Sequence, residues 1–321
     1  MNSLAQIAQV LKDRDQFLLV AHSIPDGDCI GSLLGLYLGL KSIGKRARMF
    51  MQDPVPAIYG YLPGADQVLG PSQVGQPETN LIYLDCSDQE RVGETAAVIL
   101  AGGHYTINID HHQSNTRFGD LNHVDEKASS TAELIYALLE HMAVEISLDI
   151  ANALYVGVFQ DTGGFQHSST NPATLRTAAA LLDKGVDLDL VKGNLFESKS
   201  LAELRLLSLA LGSINSCCEN KIVWMILNYH DVAEIKALDL CPEGIINNTL
   251  AVEGAQVGML FRELSPGIIK VGFRSKGRVD VAALAARFGG GGHFRAAGAQ
   301  LTGTMEDIQR VVILAVESVV A

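Results

Sequence analysis

Aspartates and histidines that could hold metal ions occur at four places along this chain. The central one is Ile109-Asp110-His111-His112, at the end of an apolar run. An isolated histidine pair usually belongs to an ordinary loop, but neutral imidazoles beside carboxylates are typical of sites for Mn²⁺ or Zn²⁺. The other three places favour a metal site: they are the loop His22-Ser-Ile-Pro-Asp26-Gly-Asp28, the strand end Leu84-Asp85, and Asp161 in VGVFQDTGG.

The loop that starts at His22 carries one imidazole and two carboxylates in a short stretch. Gly27 allows a turn between Asp26 and Asp28, so that both acids can reach adjacent ions. The alternative is helix capping, since both aspartates precede a predicted helix and acids are favoured there. Capping explains one aspartate but not His22, and we therefore favour metal ligation.

Six side chains are candidate metal ligands, which is too many for one tetrahedral ion. Clustered carboxylates raise each other's pKa unless cations neutralise them. Two divalent ions that share a bridging carboxylate fit this number, and such a pair can activate a water molecule and clamp a phosphate. Mixed oxygen and imidazole ligands favour Mn²⁺ over a structural zinc ion. The predicted chemistry is hydrolysis of a phosphate ester, with ligands His22, Asp26, Asp28, Asp85, His111 and Asp161.

Alternating strands and helices predict how these residues come together. Strands are expected at 17–21, 46–51, 80–85 and 105–110, and helices near 29–43, 94–100, 130–142, 147–160 and 172–184. This alternation is typical of a parallel sheet covered on both faces. Ligands bind outside the carboxyl ends of such strands, and His22, Asp85 and Asp110 lie at or just past three of those ends.

We predict an α/β fold with two domains. The parallel-sheet domain spans residues 1–186, a linker helix lies within 187–212, and a smaller α/β substrate-binding domain spans 213–321. The second domain is expected to contain a strand pair around 220–229, strands at 256–264 and 267–275, helices from 230 and at 279–288, and a final helix after a glycine loop.

The composition limits the class of protein. A formal net charge of −12 argues against a protein that coats long nucleic acid, although a basic stretch at 262–295 suits a small anionic ligand. We find neither an export signal nor an apolar run of the roughly 20 residues that span a bilayer, so no membrane is expected. The 5 cysteines have no paired CxxC spacing, which indicates a reducing cytoplasm.

In their order, these motifs resemble those of the DHH phosphoesterases, a family named for the triplet found here at 110–112. The N-terminal matches are HSIPDGDCIGS, LDCSD, IDHHQSNTRFGD and GVFQDTGGF, and the segment FRSKGRVDVAALAARFGGGGHFRAAGA resembles the family's DHH-associated substrate domain. Together they cover nearly the whole chain, and no ligand position departs from the pattern. The DHHxSNxxFGD form and the glycine-histidine ending are most similar to the branch of nanoRNases and phosphatases of 3′-phosphoadenosine 5′-phosphate (pAp).

The resemblance implies two Mn²⁺ ions that share one aspartate. The first set of ligands would be His22, Asp26 and Asp85, and the second would be Asp28, Asp85, His111 and Asp161. Asp110 would orient a histidine ring. His112 would face the phosphate, where it would either stabilise charge or donate a proton to the leaving oxygen.

The glycine loop 289–292 is the candidate substrate-binding element of the second domain. It lies between an apolar helix and a small-residue helix expected at 293–297, and backbone amides at such a helix start can bind an anion. Glycine runs are also common as linkers, but the family's substrate domain uses this loop. The candidate contacts are Gly290, Gly291, Gly292, His293, Arg274 and Arg262, and Ser114 and Arg117 are either phosphate contacts or simple loop residues.

The predicted function is Mn²⁺-dependent degradation of short oligoribonucleotides to mononucleotides, with pAp dephosphorylation to AMP as a second activity. Its expected partners are short single-stranded RNA or DNA and pAp, and a homodimer is a candidate assembly. One alternative is a phosphodiesterase for linear dinucleotides in cyclic dinucleotide turnover, and another is an inorganic pyrophosphatase. A third, from a different class, is a non-catalytic nucleotide- or RNA-binding regulator, for which the loss of a metal ligand would be expected.

Overall fold

The computed structural model describes residues 2–196, 200–240 and 244–320. The chain divides into two compact units, Met1–Ser198 and Lys199–Ala321. The segment 187–212, predicted as a linker helix, contains two helices, of which one belongs to each unit.

The first unit alternates strands with helices. Its strands are β1 (Phe17–Ala21), β2 (Ala47–Phe50), β3 (Val68–Leu69), β4 (Asn80–Leu84), β5 (Tyr105–Asp110) and β6 (Leu121–Val124). Its α-helices are α1 (Leu4–Asp13), α2 (Gly27–Ser42), α3 (Glu94–Ile99), α4 (Thr131–His141), α5 (Leu148–Asp161), α6 (Pro172–Leu182) and α7 (Leu188–Phe196).

The six strands form one parallel sheet in the order β3-β2-β1-β4-β5-β6. Successive residues of β1 belong to opposite faces, as expected for a strand. Leu19 packs into the large core with α2, α4 and α5, whereas Leu18 and Val20 join a smaller core with Ala96 of α3. Both faces are therefore covered, and the predicted α/β fold with a parallel sheet is confirmed.

A glycine at every fourth position lets α2 approach its neighbours closely. A Cβ atom at Gly31 would lie 2.4 Å from the carbonyl oxygen of Ala153 on α5, and one at Gly35 would lie 2.4 Å from Leu154 Cδ2. A methyl group cannot fit at such distances, so the pairing of α2 with α5 requires glycine here. The helix begins at Gly27, two residues before the predicted start, because Asp26 caps it by accepting hydrogen bonds from the following backbone amides.

The second unit is built on a mixed sheet. Its strands are β7 (Asn215–Cys217), β8 (Ile222–Leu227), β9 (Val257–Ser265), β10 (Ile268–Ser275), β11 (Gly291–His293) and β12 (Ala296–Thr302), in the order β11-β12-β10-β9-β8-β7. Its helices are α8 (Leu201–Gly212), α9 (Tyr229–Glu234), α10 (Asn247–Leu250), α11 (Val281–Ala286) and α12 (Met305–Val320). Only β8 and β9 run parallel among these described strands.

The prediction of a small-residue helix at 293–297 is wrong. Backbone pairing makes Gly291–His293 a strand antiparallel to β12, with Gly292 opposite Ala297. A Cβ atom at Gly292 would lie 2.5 Å from the carbonyl oxygen of Ala296, so this close hairpin needs glycine. The helix propensity of the alanines is overridden by pairing of β12 with β10.

Candidate metal centre

Three adjacent parallel strands bring the predicted ligands to one edge of the first sheet. His22 follows β1, Asp85 follows β4, and Asp110 ends β5 directly before His111. These strands are neighbours in the order β1-β4-β5, so their carboxyl ends lie side by side. Asp85 has a left-handed backbone with a φ of 58°, which is uncommon for a residue other than glycine and typical of functional sites.

Two packed helices supply the remaining carboxylates. Asp28 lies in the first turn of α2, and Asp161 is the last residue of α5. The close approach of these helices continues to the site itself, since a Cβ atom at Gly157 would lie 3.0 Å from Asp28 Oδ1. The fully buried Asp28 is held by α4, because the backbone N–H groups of Thr131 and Ala132 donate to its two oxygens at 2.6 and 2.8 Å.

His22, Asp26 and Asp85 form the first group of potential ligands. His22 Nδ1 lies 2.7 Å from the carbonyl oxygen of Ser23 and donates to it, so Nε2 is the nitrogen that would ligate a metal ion once its own proton is lost. That Nε2 lies 3.4 Å from Asp85 Oδ2 and 3.8 Å from Asp26 Oδ1. Asp26 Oδ1 also caps α2, so capping and proximity to His22 occur together.

The second group surrounds His111. Its Nε2 lies 3.4 Å from Asp161 Oδ2, 3.8 Å from Asp28 Oδ2 and 3.7 Å from Asp85 Oδ1. The two oxygens of Asp85 therefore face different groups, Oδ2 towards His22 and Oδ1 towards His111. This is the position that a bridging carboxylate between two ions would occupy.

The shifted pKa values of these carboxylates indicate that the site favours cations. Burial, followed by the charges of Asp85 and Asp161, raises the pKa of Asp28 well above its ordinary value. Burial likewise raises the pKa of Asp161 to about 6. Burial also opposes ionisation of Asp85, but the hydrogen bond with His22 and the nearby imidazoles outweigh it and lower that pKa to about 2. The buried Asp28 and Asp85 and the partly buried Asp161, with imidazole neighbours and no thiolate among these ligand groups, fit oxygen- and nitrogen-preferring divalent ions.

His112 is held by Asp110 at the margin of the second group. Its Nδ1 lies 2.7 Å from Asp110 Oδ1 and 3.5 Å from Asp85 Oδ1. The hydrogen bond with Asp110 is the main reason that the pKa of His112 rises to about 9. The imidazole is therefore protonated at neutral pH in the metal-free protein and carries positive charge beside the carboxylates.

Two supporting residues were missed by the sequence analysis. Thr131 Oγ1 donates to Asp85 Oδ1 at 3.0 Å, in addition to the bond from its backbone to Asp28. Asn115 Nδ2 donates to Asp110 Oδ2 at 2.6 Å. Asn115 lies within the SNTRFGD segment and could have been singled out there, whereas no local pattern links Thr131 to acids far away in the sequence.

Ser114 and Arg117 are exposed on the loop after the histidine pair. The backbone N–H of Arg117, which has a φ of 56°, donates to Asn115 Oδ1. This loop thus positions Asn115, and the two candidate phosphate contacts lie on its solvent side.

The second unit contains a cavity of about 460 Å³ with a basic lining. Arg262, Lys270 and Arg274 line it together with Gly291 and Gly292. Arg262 and Lys270 are direct partners across β9 and β10, although like charges opposite each other destabilise a sheet. Such a pair is expected where an anion binds. Lys270 was not among the predicted contacts. Because it is four residues before Arg274 on a strand, the two side chains lie on the same face, and this spacing could have indicated Lys270.

Gly290 and His293 are the remaining candidate substrate contacts of the glycine loop, and they lie in different parts of it. Gly290 is packed against β12, since a Cβ atom there would lie 2.1 Å from the carbonyl oxygen of Gly298. The backbone of His293 ends β11, and its side chain lies outside the described residues.

Comparisons with known proteins bear on both units. Residues 16–158 match the DHH family, N-terminal domain, and residues 243–319 match the DHHA1 domain. The chain is 36% identical over 298 residues to the bifunctional oligoribonuclease and PAP phosphatase NrnA of Thermus thermophilus, covering 92% of this chain and 88% of that protein. It is 28% identical to the protein of that name from Bacillus subtilis, covering 89% of this chain and 90% of that protein.

A solved structure is also similar over nearly the full length. An exopolyphosphatase-related protein from Bacteroides fragilis has a TM-score of 0.88 and 28% identity, covering 98% of this chain and 95% of that one. Within the described residues, no helix is long and apolar enough to cross a membrane.

Proposed function

We propose, on the premise that this chain belongs to the DHH family of phosphoesterases, that it is a metal-dependent hydrolase of short oligoribonucleotides and of pAp. The observation that carries the proposal is the carboxylate of Asp85, whose two oxygens face separate groups of potential ligands. Relatives that cover about nine-tenths of the chain are described as acting on these two substrates.

We assign one divalent ion to His22, Asp26 and Asp85, and a second to Asp28, Asp85, His111 and Asp161. Mn²⁺ is our proposed metal, because the donor set mixes carboxylate oxygens with imidazole nitrogens. Bound ions of this kind would supply Lewis acidity to the phosphate and lower the pKa of a water molecule. The protein's own contribution is to hold the carboxylates in place, which it does through α4, α2 and α5.

We assign His112 to the phosphate and to the leaving oxygen. Its Nδ1 is engaged by Asp110, so its Nε2 is the nitrogen that can donate to substrate. The hydrogen bond with Asp110, which is the main cause of the raised pKa of His112, favours keeping that proton on the imidazole. A protonated imidazole both stabilises negative charge on the phosphate and supplies the proton that the departing oxygen needs.

We assign the basic cavity of the second unit to the substrate. Three cations there can bind phosphate groups, and the flat glycine surface of β11 and β12 with Ile246 and Leu260 offers apolar area to a base. Gly290–Gly292, His293, Ser114 and Arg117 remain proposed contacts on sequence grounds. We further propose that the protein works in the cytoplasm, as its cysteines Cys29, Cys86, Cys217 and Cys218 are unpaired thiols; a homodimer is a proposed assembly.

A substrate panel tests the proposal. Di- to hexanucleotides of RNA and DNA, pAp, a linear dinucleotide from cyclic dinucleotide turnover and pyrophosphate would each be incubated with Mn²⁺ or Mg²⁺. We expect mononucleotides from short RNA, and AMP from pAp, with Mn²⁺ the better metal. Turnover confined to pyrophosphate or to one linear dinucleotide would replace the proposal, and tight binding without turnover would indicate a regulator.

A further inference from the structure

Two neighbouring cysteines and one glutamate converge within the second unit. Cys217 ends β7, Cys218 starts the turn to β8, and Glu317 lies near the end of α12. Cys217 Sγ lies 3.7 Å from Glu317 Oε1, and Cys218 Sγ lies 3.8 Å from the same oxygen. In the metal-free protein the two thiols therefore share one carboxylate oxygen as their acceptor.

We propose that these three side chains form a further metal site, for a thiophilic divalent cation such as Zn²⁺. In a tetrahedral zinc site, a thiolate sulfur and a carboxylate oxygen lie about 3.5 Å apart, given metal–ligand distances of about 2.3 and 2.0 Å. The sulfur–oxygen distances of 3.7 and 3.8 Å are close to that value. All three ligand atoms lie within 4.8 Å of one another, so a cation can be bound with small side-chain movements.

The electrostatic setting of Glu317 also favours a cation. The last turn of α12 contains no basic residue. Because the carboxyl end of a helix carries partial negative charge, a carboxylate there is disfavoured unless a cation neutralises it. The two thiols cannot do so in their protonated form, whereas a bound divalent ion can.

The turn after β7 brings the thiol of Cys218 to the same side as that of Cys217, and it does so with a strained backbone. Cys218, Glu219 and Asn220 all have left-handed backbones, with φ values of 53°, 56° and 64°. Such a run without glycine is unfavourable, and strain of this kind concentrates at functional positions. Its result here is that two consecutive side chains reach the same carboxylate, which consecutive residues of a regular strand cannot do.

The chemistry of the site follows from its ligands. Binding releases the thiol protons to solvent, so the affinity rises with pH. Three protein ligands leave one tetrahedral position for water, and Cys218 is exposed, so the ion exchanges with solvent. The bound ion would join the β7–β8 edge of the sheet to α12 and would stabilise the second unit.

Cadmium titration of the full-length protein tests the site. Thiolate ligation of Cd²⁺ produces an ultraviolet charge-transfer absorption that carboxylate and imidazole ligands do not produce, so the signal is separate from the centre around Asp85. We expect the absorption to saturate at one Cd²⁺ per chain, to be lost in Cys217→Ser and in Cys218→Ser, and to be displaced by Zn²⁺. Hydrolytic activity with Mn²⁺ should be unchanged in these variants, since neither thiol belongs to the proposed active site.

The glutamate is tested by a matched pair of variants on the same helix. Glu317→Gln should weaken Cd²⁺ binding at least tenfold, whereas Glu306→Gln, at the other end of α12, should leave it unchanged. Zn²⁺ should also raise the Tm of the wild type in the presence of Mn²⁺ but not that of Cys218→Ser. A missing absorption at stoichiometric Cd²⁺, its persistence in Cys218→Ser, or equal affinities in the two glutamine variants would overturn the proposal.

Discussion

Asp110 Oδ1 lies 2.7 Å from Nδ1 of His112, and this contact sets both the orientation and the charge of the imidazole. Asp110 is itself fully buried, and Asn115 donates to its second oxygen. The carboxylate thus cannot rotate away without losing that bond. This contact supports our proposal that His112 acts as the acid and that Asp110 positions it.

The first prediction follows from this contact. In Asp110→Asn the main cause of the raised His112 pKa is removed, so that pKa falls towards its ordinary value. The alkaline limb of the kcat profile should move to lower pH, and kcat at pH 8 should fall by about 10²-fold, the range of a lost general acid. A pH–rate profile on a dinucleotide measures both; an unshifted alkaline limb would assign the acid role elsewhere.

The second prediction concerns the shared carboxylate. Asp85→Asn should remove the negative charge that both ligand groups need, so metal content should fall below one ion per chain. Activity should fall by about 10³-fold or more, as expected for loss of several kcal/mol of metal catalysis. Asp66→Asn, an exposed site with the same charge change, is the control for metal analysis and turnover. Near-normal activity of Asp85→Asn would refute the assignment.

The third prediction tests the packing of α2 on α5. Gly31→Ala places a methyl group 2.4 Å from the carbonyl oxygen of Ala153, and the helices must separate. The free energy of unfolding should fall by about 1–3 kcal/mol, the usual cost of overpacking. Because Asp28 and Asp161 belong to these helices, metal affinity should fall too. Gly103→Ala, where no atom lies within 4 Å, should leave denaturation midpoint and metal affinity unchanged.

The fourth prediction concerns removal of the metal. In chelator, the carboxylate of Asp161 destabilises the fold above its raised pKa of about 6, and protonation relieves this as the pH falls. The charge of His112 stabilises the fold below its ordinary pKa and is lost as the pH rises through about 9. The Asp161 effect lowers the stability between about pH 4 and pH 6, and the His112 effect lowers it between about pH 6.5 and pH 9. The Tm in chelator should therefore fall between pH 6.5 and pH 9 because of His112, and the fall between pH 4 and pH 6 should be less steep in Asp161→Asn than in the wild type. A Tm that rises between pH 6.5 and pH 9 would contradict the sign for His112.

The fifth prediction concerns the basic cavity. Lys270→Ala should raise KM about tenfold, the effect of one lost charge-assisted hydrogen bond, while kcat and metal content stay near their original values. Arg278 is an exposed cation of the same unit that does not line the cavity. Equal KM values for Lys270→Ala and Arg278→Ala would remove the cavity from substrate binding.

The parts of the structure that depend on local patterns were predictable from the sequence. Apolar runs located β1, β4 and β5, and the rule that parallel strands end at one edge explains why His22, Asp85 and His111 lie together. Their role as ligands stays a proposal. The α/β fold itself is confirmed.

The parts that depend on distant pairing could not be read from local patterns. The helix expected at 293–297 is a hairpin because β12 pairs with β10, a contact that alanine-rich sequence does not signal. The Thr131 bonds to Asp28 and Asp85 join residues far apart along the chain. The opposition of Arg262 and Lys270 depends on strand register, which composition alone does not determine.

The glycines of α2 also limit where residues can be inserted into or deleted from this protein. A single inserted residue between Asp28 and Gly39 would rotate the rest of the helix by about 100°, turning side chains into the surface now occupied by α5. We therefore expect insertions and deletions to be excluded from this helix and to occur in loops, for example in those between β2 and β4. Relatives that bind the same ions should vary in those loops while keeping α2 at one length.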